Sequence, residues 1–313
     1  MGLRTNISDF LWSNGPSLAV GLLSASHKLG LEPKLLQTLR YQSEFYSERR
    51  PFPCWWPRTP LPGNAGDLLT PLLLQGLFDV SPIYSIGREF LGVGSIIKQA
   101  RPDTVVWGSG LITPEIPVAP GVTFLAVRGP LTRAALLGQG HSVPETYGDP
   151  AILLPLLYKP TNAAIQWRKG FIPHFVHHGS TNALPNDTKF INILRGSKAD
   201  LRALIDEVMQ CEMIFSSSLH GLIIALAYRK PVAWIRLPNH HLKGDSFKFR
   251  DFFSSIGLNG AHPINIRDAS DLAALGACDT LQIDIPERLK TKLIESFHSF
   301  YEIRSDAVRP RHG

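Results

Sequence analysis

Cysteine is scarce. Cys54, Cys211 and Cys278 are the three in 313 residues, and they are far apart. That is too few for a disulfide framework or a zinc site, so a reducing, cytosolic setting is expected. Long apolar runs are missing too. No stretch approaches the ~18 residues of a membrane span, and no basic flank followed by an apolar run marks a signal peptide. Low-complexity tracts and short-period repeats are also lacking. Several catalytic signatures are absent: the phosphate-binding P-loop, the G-x-G-x-x-G dinucleotide turn, the H-E-x-x-H metal helix and the G-x-S-x-G nucleophile elbow. The adjacent pairs His177-His178 and His240-His241 cannot both point at one ion, so no metal site is expected.

What is present is an ordinary globular composition, 44% hydrophobic and 19% charged, in a chain long enough for two domains. The net charge of +6 is mild and spread along the chain. It suits anionic small substrates or loose attraction to an anionic membrane face, and it does not require nucleic acid.

The most informative stretch runs from Cys211 to Leu237. Met213-Ile214-Phe215 reads as a buried strand. Small hydroxyl residues, Ser216-Ser217-Ser218, stand where a helix N-cap is needed. Leu219, Leu222, Ile223 and Leu226 follow at helical spacing, with apolar residues on the remaining sides, which predicts a fully buried helix. Arg229-Lys230-Pro231 ends it, and Val232–Ile235 is a second buried strand. This is a β-α-β unit with parallel strands. His220 is its odd residue. It occupies the first helical turn, at the sheet edge where open α/β folds bind ligands. Either it caps and packs there, or it belongs to a site.

Elsewhere, Gly63-Asn64-Ala65-Gly66-Asp67 precedes a Leu-rich helical pattern, with Asp67 at or near its N-cap. Such a turn is either an ordinary cap or an anion or carbonyl cradle. Thr104–Trp107 and Thr123–Val127 read as strands, the second ending at Arg128, and Pro130 opens a helix in the favoured first-turn position. Phe171–Phe175 is expected as a strand carrying His174 near its end, and Ser197 caps the helix that follows. The expected division is a helical extension over 1–50, a doubly wound domain over 51–160, a second over 161–285, and a terminal helix with a basic tail over 286–313.

SSSLHGLIIALAYRKPV resembles the signature of the polysaccharide pyruvyltransferase family. GNAGDLLTPLLL, VWGSG, AVRGPLTRAALL and YGDPAILLP are similar to its other blocks, in the family's order, and FIPHF and DSFKFRDFF resemble its bacterial exopolysaccharide ketal-pyruvyltransferase branch. The resemblance implies an α/β fold of two Rossmann-like doubly wound domains facing across a cleft, as in GT-B glycosyltransferases. It implies phosphoenolpyruvate as co-substrate, no cofactor or metal, and a sugar or lipid-linked oligosaccharide acceptor. The setting would be cytoplasmic, with peripheral contact at the inner membrane face. Many members carry Arg immediately before the Leu-His pair, whereas Ser218 stands here.

Under that resemblance His220 and His174 are the candidate acid and base, since an imidazole titrates near neutrality. Arg128, Ser217 and Ser218 are candidates for donor binding, and Lys248 or Arg250 would replace the missing family cation. Asn64, Asp67 and Asp149 either orient acceptor hydroxyls or serve structure. The other classes weighed are a nucleotide-sugar glycosyltransferase of similar fold and a binding protein that has lost catalysis.

Overall fold

The computed structural model describes residues 44–45, 47–57, 60, 62–161, 164–180, 183–237 and 244–308. Nearly all of the expected extension over 1–50, and the His240-His241 pair, lie outside these. The elements in order are β1 (Arg50–Cys54), α1 (Leu69–Phe78), β2 (Val80–Tyr84), β3 (Phe90–Leu91), β4 (Val105–Trp107), β5 (Thr123–Ala126), α2 (Pro130–Gly138) and α3 (Leu154–Leu157). There follow β6 (Trp167–Ile172), β7 (Thr188–Phe190), α4 (Lys198–Met209), β8 (Cys211–Ser216), α5 (Leu219–Ala227), β9 (Val232–Arg236), α6 (Asp245–Ser255), β10 (Ile264–Asn265) and α7 (Glu287–Val308). Every strand ladder among these is parallel. The fold is therefore α/β, as strands read as continuous apolar runs require.

The chain forms two compact units. The first comprises residues 1–88, 151–243 and 262–284, and the second 89–150, 244–261 and 285–313. They interleave along the sequence, whereas the sequence reading expects consecutive domains meeting near residue 160. Backbone hydrogen bonds give the physical reason. Ala65 N–H donates to Ile193 O at 2.9 Å and Arg195 N–H to Gly63 O at 2.9 Å. These bonds hold the early residues on the strand system that follows Gln166.

The first unit contains a five-stranded sheet in the order β10-β9-β8-β6-β7, with β1 and β2 as a separate parallel pair. Counted from β6, that is the 2-1-3-4-5 order of one kind of doubly wound sheet. The order reverses between β6 and β8, which lie side by side with Ile172 opposite Ser216. Helix α5 forms as the sequence requires. Ser218 is its N-cap, accepting from Gly221 N–H at 3.4 Å. Every residue from Leu219 to Ala227 is buried except His220, and Arg229 leaves the helix in the left-handed region at φ 58°. Helix α4 is capped by Ser197, which accepts from Asp200 N–H at 3.0 Å. Asp67 stands next to the N-cap of α1, which is Leu68.

The second unit is built on the sheet β3-β4-β5 with α2, α6 and α7. Pro130 starts α2. Its core gathers aromatic rings: Trp107 and Phe297 lie 5.5 Å apart and Phe90 and Phe297 5.7 Å, and Trp107 Nε1 donates to Leu293 O at 2.9 Å. Such pairs add to the area they bury.

Of the three cysteines, Cys54 and Cys211 are buried and Cys278 is exposed. Burial pushes the Cys211 thiol up to about 12, so it holds almost no reactive thiolate near neutrality. Iodoacetamide should therefore label Cys278 alone until denaturant is added. A second adduct in the intact mass of the native protein would contradict this.

Candidate active site

In a doubly wound sheet, ligands bind outside the carboxyl ends of the strands where the strand order reverses. Here that point is the junction of β6 and β8, and the residues placed there carry chemistry. After Ile172, Pro173 ends the strand, so His174 follows β6 rather than lying within it. After Ser216, Ser217 and Ser218 lead into α5 and bring His220 to the same edge.

Hydroxyl groups fasten the two strand ends together. Ser216 Oγ donates to Ile172 O at 2.6 Å and accepts from Ser218 N–H at 3.0 Å. Ser217 Oγ accepts from His174 N–H at 3.0 Å and lies 2.8 Å from His177 Nδ1. The residues from Phe175 to Ser180 form a 3₁₀ turn, in which His177 N–H donates to His174 O at 2.7 Å. The His174 ring lies 4.4 Å from Phe175, and its Nδ1 accepts from Val176 N–H at 3.4 Å. That bond assigns the proton of the neutral ring to Nε2. Ser217, Ser218 and His177 are each only 2% exposed, whereas His174 and His220 are half-buried. His174 and His220 are thus less enclosed than His177, although the Nε2 atom of His220 is itself buried. Burial, and then the neighbouring His177, pushes the His178 imidazole below the ordinary histidine range. Near pH 7 it therefore remains uncharged.

The Gly63–Asp67 turn completes this edge. Gly66 N–H donates to Asn64 Oδ1 at 3.1 Å, and Asn64 bridges Leu194 just beyond β7. A Cβ on Gly66 would fall within the His220 imidazole. The ring therefore lies directly on the Gly66 backbone, and the turn positions it. Asn64 is buried and holds the turn through its own side chain, while Asp67 is half-buried. Gly66 was not singled out by spacing; the signal was the second glycine of the GNAGD block, read as part of an ordinary cap or an anion or carbonyl cradle.

The remaining candidates lie in the second unit. Arg128 was expected to clamp a donor anion at the sheet edge. Its side chain instead has no exposed surface and three internal partners. Nε donates to Asp251 Oδ2 at 3.0 Å, one terminal nitrogen donates to Ser95 Oγ at 2.6 Å, and the other donates to Leu111 O at 2.6 Å while lying 3.0 Å from Asp251 Oδ2. Asp251 is also fully buried and accepts from both the N–H and the hydroxyl of Thr132, at 2.8 and 2.6 Å. A Cβ on Gly110 would strike the Arg128 guanidinium, and one on Gly129 would strike Asp251. The VWGSG, AVRGP and KFRDFF blocks thus converge on one buried ion pair that ties α2 to α6. Asp251 was passed over because the sequence does not reveal its partner.

Lys248 is buried beside Phe249, its Nζ 5.4 Å from that ring, whereas Arg250 is exposed. Asp149 is buried and accepts from Gly94 N–H at 3.4 Å. Arg128, Asp149, Lys248 and Arg250 belong to the second unit, and Asn64, Asp67, His174, Ser217, Ser218 and His220 to the first. Among the described residues no group of three or more His, Cys, Asp or Glu side chains is placed to hold a metal, and no helix is long and apolar enough to cross a membrane.

The chain is thus an α/β protein that carries two histidines at the carboxyl ends of parallel strands, a candidate ligand edge. Residues 117–239 match the family described as polysaccharide pyruvyl transferase, a span that includes Arg128, His174 and the whole β8-α5-β9 unit. The chain is 31% identical over 206 residues to the uncharacterized protein L143 of Acanthamoeba polyphaga mimivirus, covering 62% of this chain and 71% of that one. It is 27% identical over 209 residues to the succinoglycan biosynthesis protein ExoV of Rhizobium meliloti, covering 63% of this chain and 62% of the relative. The chain belongs to the polysaccharide pyruvyl transferase family. No solved structure matches it significantly.

Proposed function

We propose that the protein transfers a pyruvyl group from phosphoenolpyruvate to two hydroxyls of a sugar, forming a cyclic ketal and releasing phosphate. The acceptor is a repeat unit of an exopolysaccharide or another cell-surface glycan, met as a lipid-linked oligosaccharide. The observation that carries this reading is the placement of His174 and His220 at one ligand edge, each held by its own hydrogen-bonded turn. The family match and the similarity to a Rhizobium protein of succinoglycan biosynthesis support the substrate class.

In the reaction, a sugar hydroxyl adds to C2 of the enol phosphate while C3 takes up a proton and becomes a methyl group. The C2–oxygen bond to phosphate then breaks as the second hydroxyl attacks C2, and that hydroxyl's proton balances the departing phosphate. The acceptor step calls for a base, which is His174 in this reading, and C3 calls for an acid, which is His220. The first-turn N–H groups of α5 suit the anionic donor. Ser218 takes the place of the family Arg and caps the helix, so the missing cation comes from elsewhere, with exposed Arg250 and buried Lys248 the candidates. The GT-B-like pairing of two domains belongs to this reading as well. So does a cytoplasmic protein that visits the inner membrane face, held there by weak basic attraction that high salt reverses.

The test is donor choice. The purified protein is incubated with a lipid-linked oligosaccharide acceptor and either phosphoenolpyruvate or nucleotide sugars. Acceptor-dependent phosphate release, with a gain of one pyruvyl group in the acceptor's mass, is the expected result. Consumption of a nucleotide sugar would make it a glycosyltransferase instead, and no consumption of either donor would leave a binding protein.

A further inference from the structure

The hydrogen bonds at the β6–β8 junction form a chain that ends on His174. Its ring is half-buried, accepts from Val176 N–H at 3.4 Å, and lies 4.4 Å from the tilted Phe175 ring and 6.1 Å from the His177 ring. Its backbone is held more firmly. The carbonyl accepts from His177 N–H at 2.7 Å, and the N–H donates to Ser217 Oγ at 3.0 Å. Ser217 Oγ in turn lies 2.8 Å from His177 Nδ1, with both side chains 2% exposed. A serine hydroxyl can rotate among three staggered positions. The imidazole fixes it in the one that receives the His174 N–H. His177 therefore acts on the His174 backbone twice, once through its own N–H and once through Ser217, while its ring also meets the His174 ring edge-on at 6.1 Å.

We infer that His177 is a positioning residue for His174, acting through the Ser217 hydroxyl. The inference rests on the reading of this edge as the pyruvyl-transfer site, and it adds to that reading a buried side chain that touches no substrate. A residue that only fills space would be replaced by any ring of similar size. A residue that orients the base would need a hydrogen-bonding atom at the position of Nδ1. Asn supplies one at that distance from Cβ, and Phe keeps the bulk without it.

The experiment compares His177→Phe with His177→Asn. His177→Phe should lower kcat about 10–100-fold, the scale expected when a reacting group is displaced by up to an ångström, with KM for phosphoenolpyruvate within about twofold. His177→Asn should recover most of kcat. In a His174→Ala background, His177→Phe should cost nothing further, because its effect passes through that ring. A second readout needs no turnover. In the ligand-free protein, His177→Phe should shift and broaden the His174 ring resonances in ¹H–¹³C spectra, and His177→Asn should restore them. Unchanged His174 resonances in His177→Phe would overturn the inference, as would equal losses in the Phe and Asn variants that follow their melting temperatures. If the wild-type protein fails to use phosphoenolpyruvate, the functional reading falls while the spectra still decide the role of His177.

Discussion

Gly66→Ala is expected to lower turnover by about 10²-fold, with little change in melting temperature. A Cβ at Gly66 would occupy the space of the His220 imidazole, so the ring must move by an ångström or more, and displacements of that size carry losses of this order. Backbone strain does not enter, because Gly66 is not among the residues with positive φ. His220→Ala should cost more, about 10²–10⁴-fold, if the imidazole transfers a proton. It should leave the fold intact, since the rest of α5 is buried without it. The two changes should not add. With His220 gone, Gly66→Ala has nothing to displace, and the double variant should match His220→Ala. His220→Gln separates proton transfer from hydrogen bonding, and recovery of turnover in that variant would make His220 a ligand of the donor anion. Additive losses in the Gly66 and His220 pair, measured as kcat/KM, would overturn the contact as the cause.

Asp251→Asn is expected to be the most destabilising single change in the second unit. It removes the only negative charge paired with Arg128 in the described ion pairs and leaves a guanidinium in a site with no exposed surface. Breaking one side of a buried pair costs roughly 3–5 kcal/mol. Arg128→Met alone leaves the Asp251 carboxylate accepting only from Thr132 and should lose a comparable amount. The double change Arg128→Met with Asp251→Leu removes both charges and should recover much of the stability, as apolar replacement of buried ion pairs often does. Urea denaturation, followed by hydrogen exchange at the amides of β4 and α6, measures each. Arg128→Lys should also destabilise, because an ammonium cannot satisfy Asp251, Ser95 and Leu111 with the geometry of the fork. If Asp251→Asn instead leaves the unfolding midpoint unchanged, Arg128 has solvent or another partner that the native structure does not show.

The β8-α5-β9 unit was readable residue by residue because its signals are local. Three serines, a helix apolar on all sides and a cation-proline stop each act within a few positions of the chain. The parallel pairing and the place of His220 at the ligand edge follow from the same stretch. Arg128 shows the limit. Its place at a strand end was readable, but its partner is Asp251, 123 positions along the chain, and spacing cannot report a contact between distant residues. The Gly66–His220 contact was hidden for the same reason: glycine in a turn looks alike whether it shapes the backbone or admits a neighbour. The interleaving of the two units was not readable because continuous division is the natural first expectation, while the ties from Gly63 and Ala65 to residues 193–195 are visible only in three dimensions. His177 stood in the stretch His174-Phe175-Val176-His177-His178, and nothing in that stretch says which ring turns inward.

The interleaving of the two units has a consequence for the order in which the protein can be made. A ribosome delivers β3, β4 and β5 before the five-stranded sheet has begun, yet the second unit still lacks α6 and α7, which include the Asp251 that neutralises Arg128. The first unit in turn awaits β10, which emerges after α6. The first unit therefore cannot close before residue 284 has emerged, nor the second before α7 has. Until then a buried-type cation and unpaired parallel strands stand open, a state prone to association. Chaperone dependence during translation, and insolubility of fragments cut at residue 160, are the marks such a path would leave.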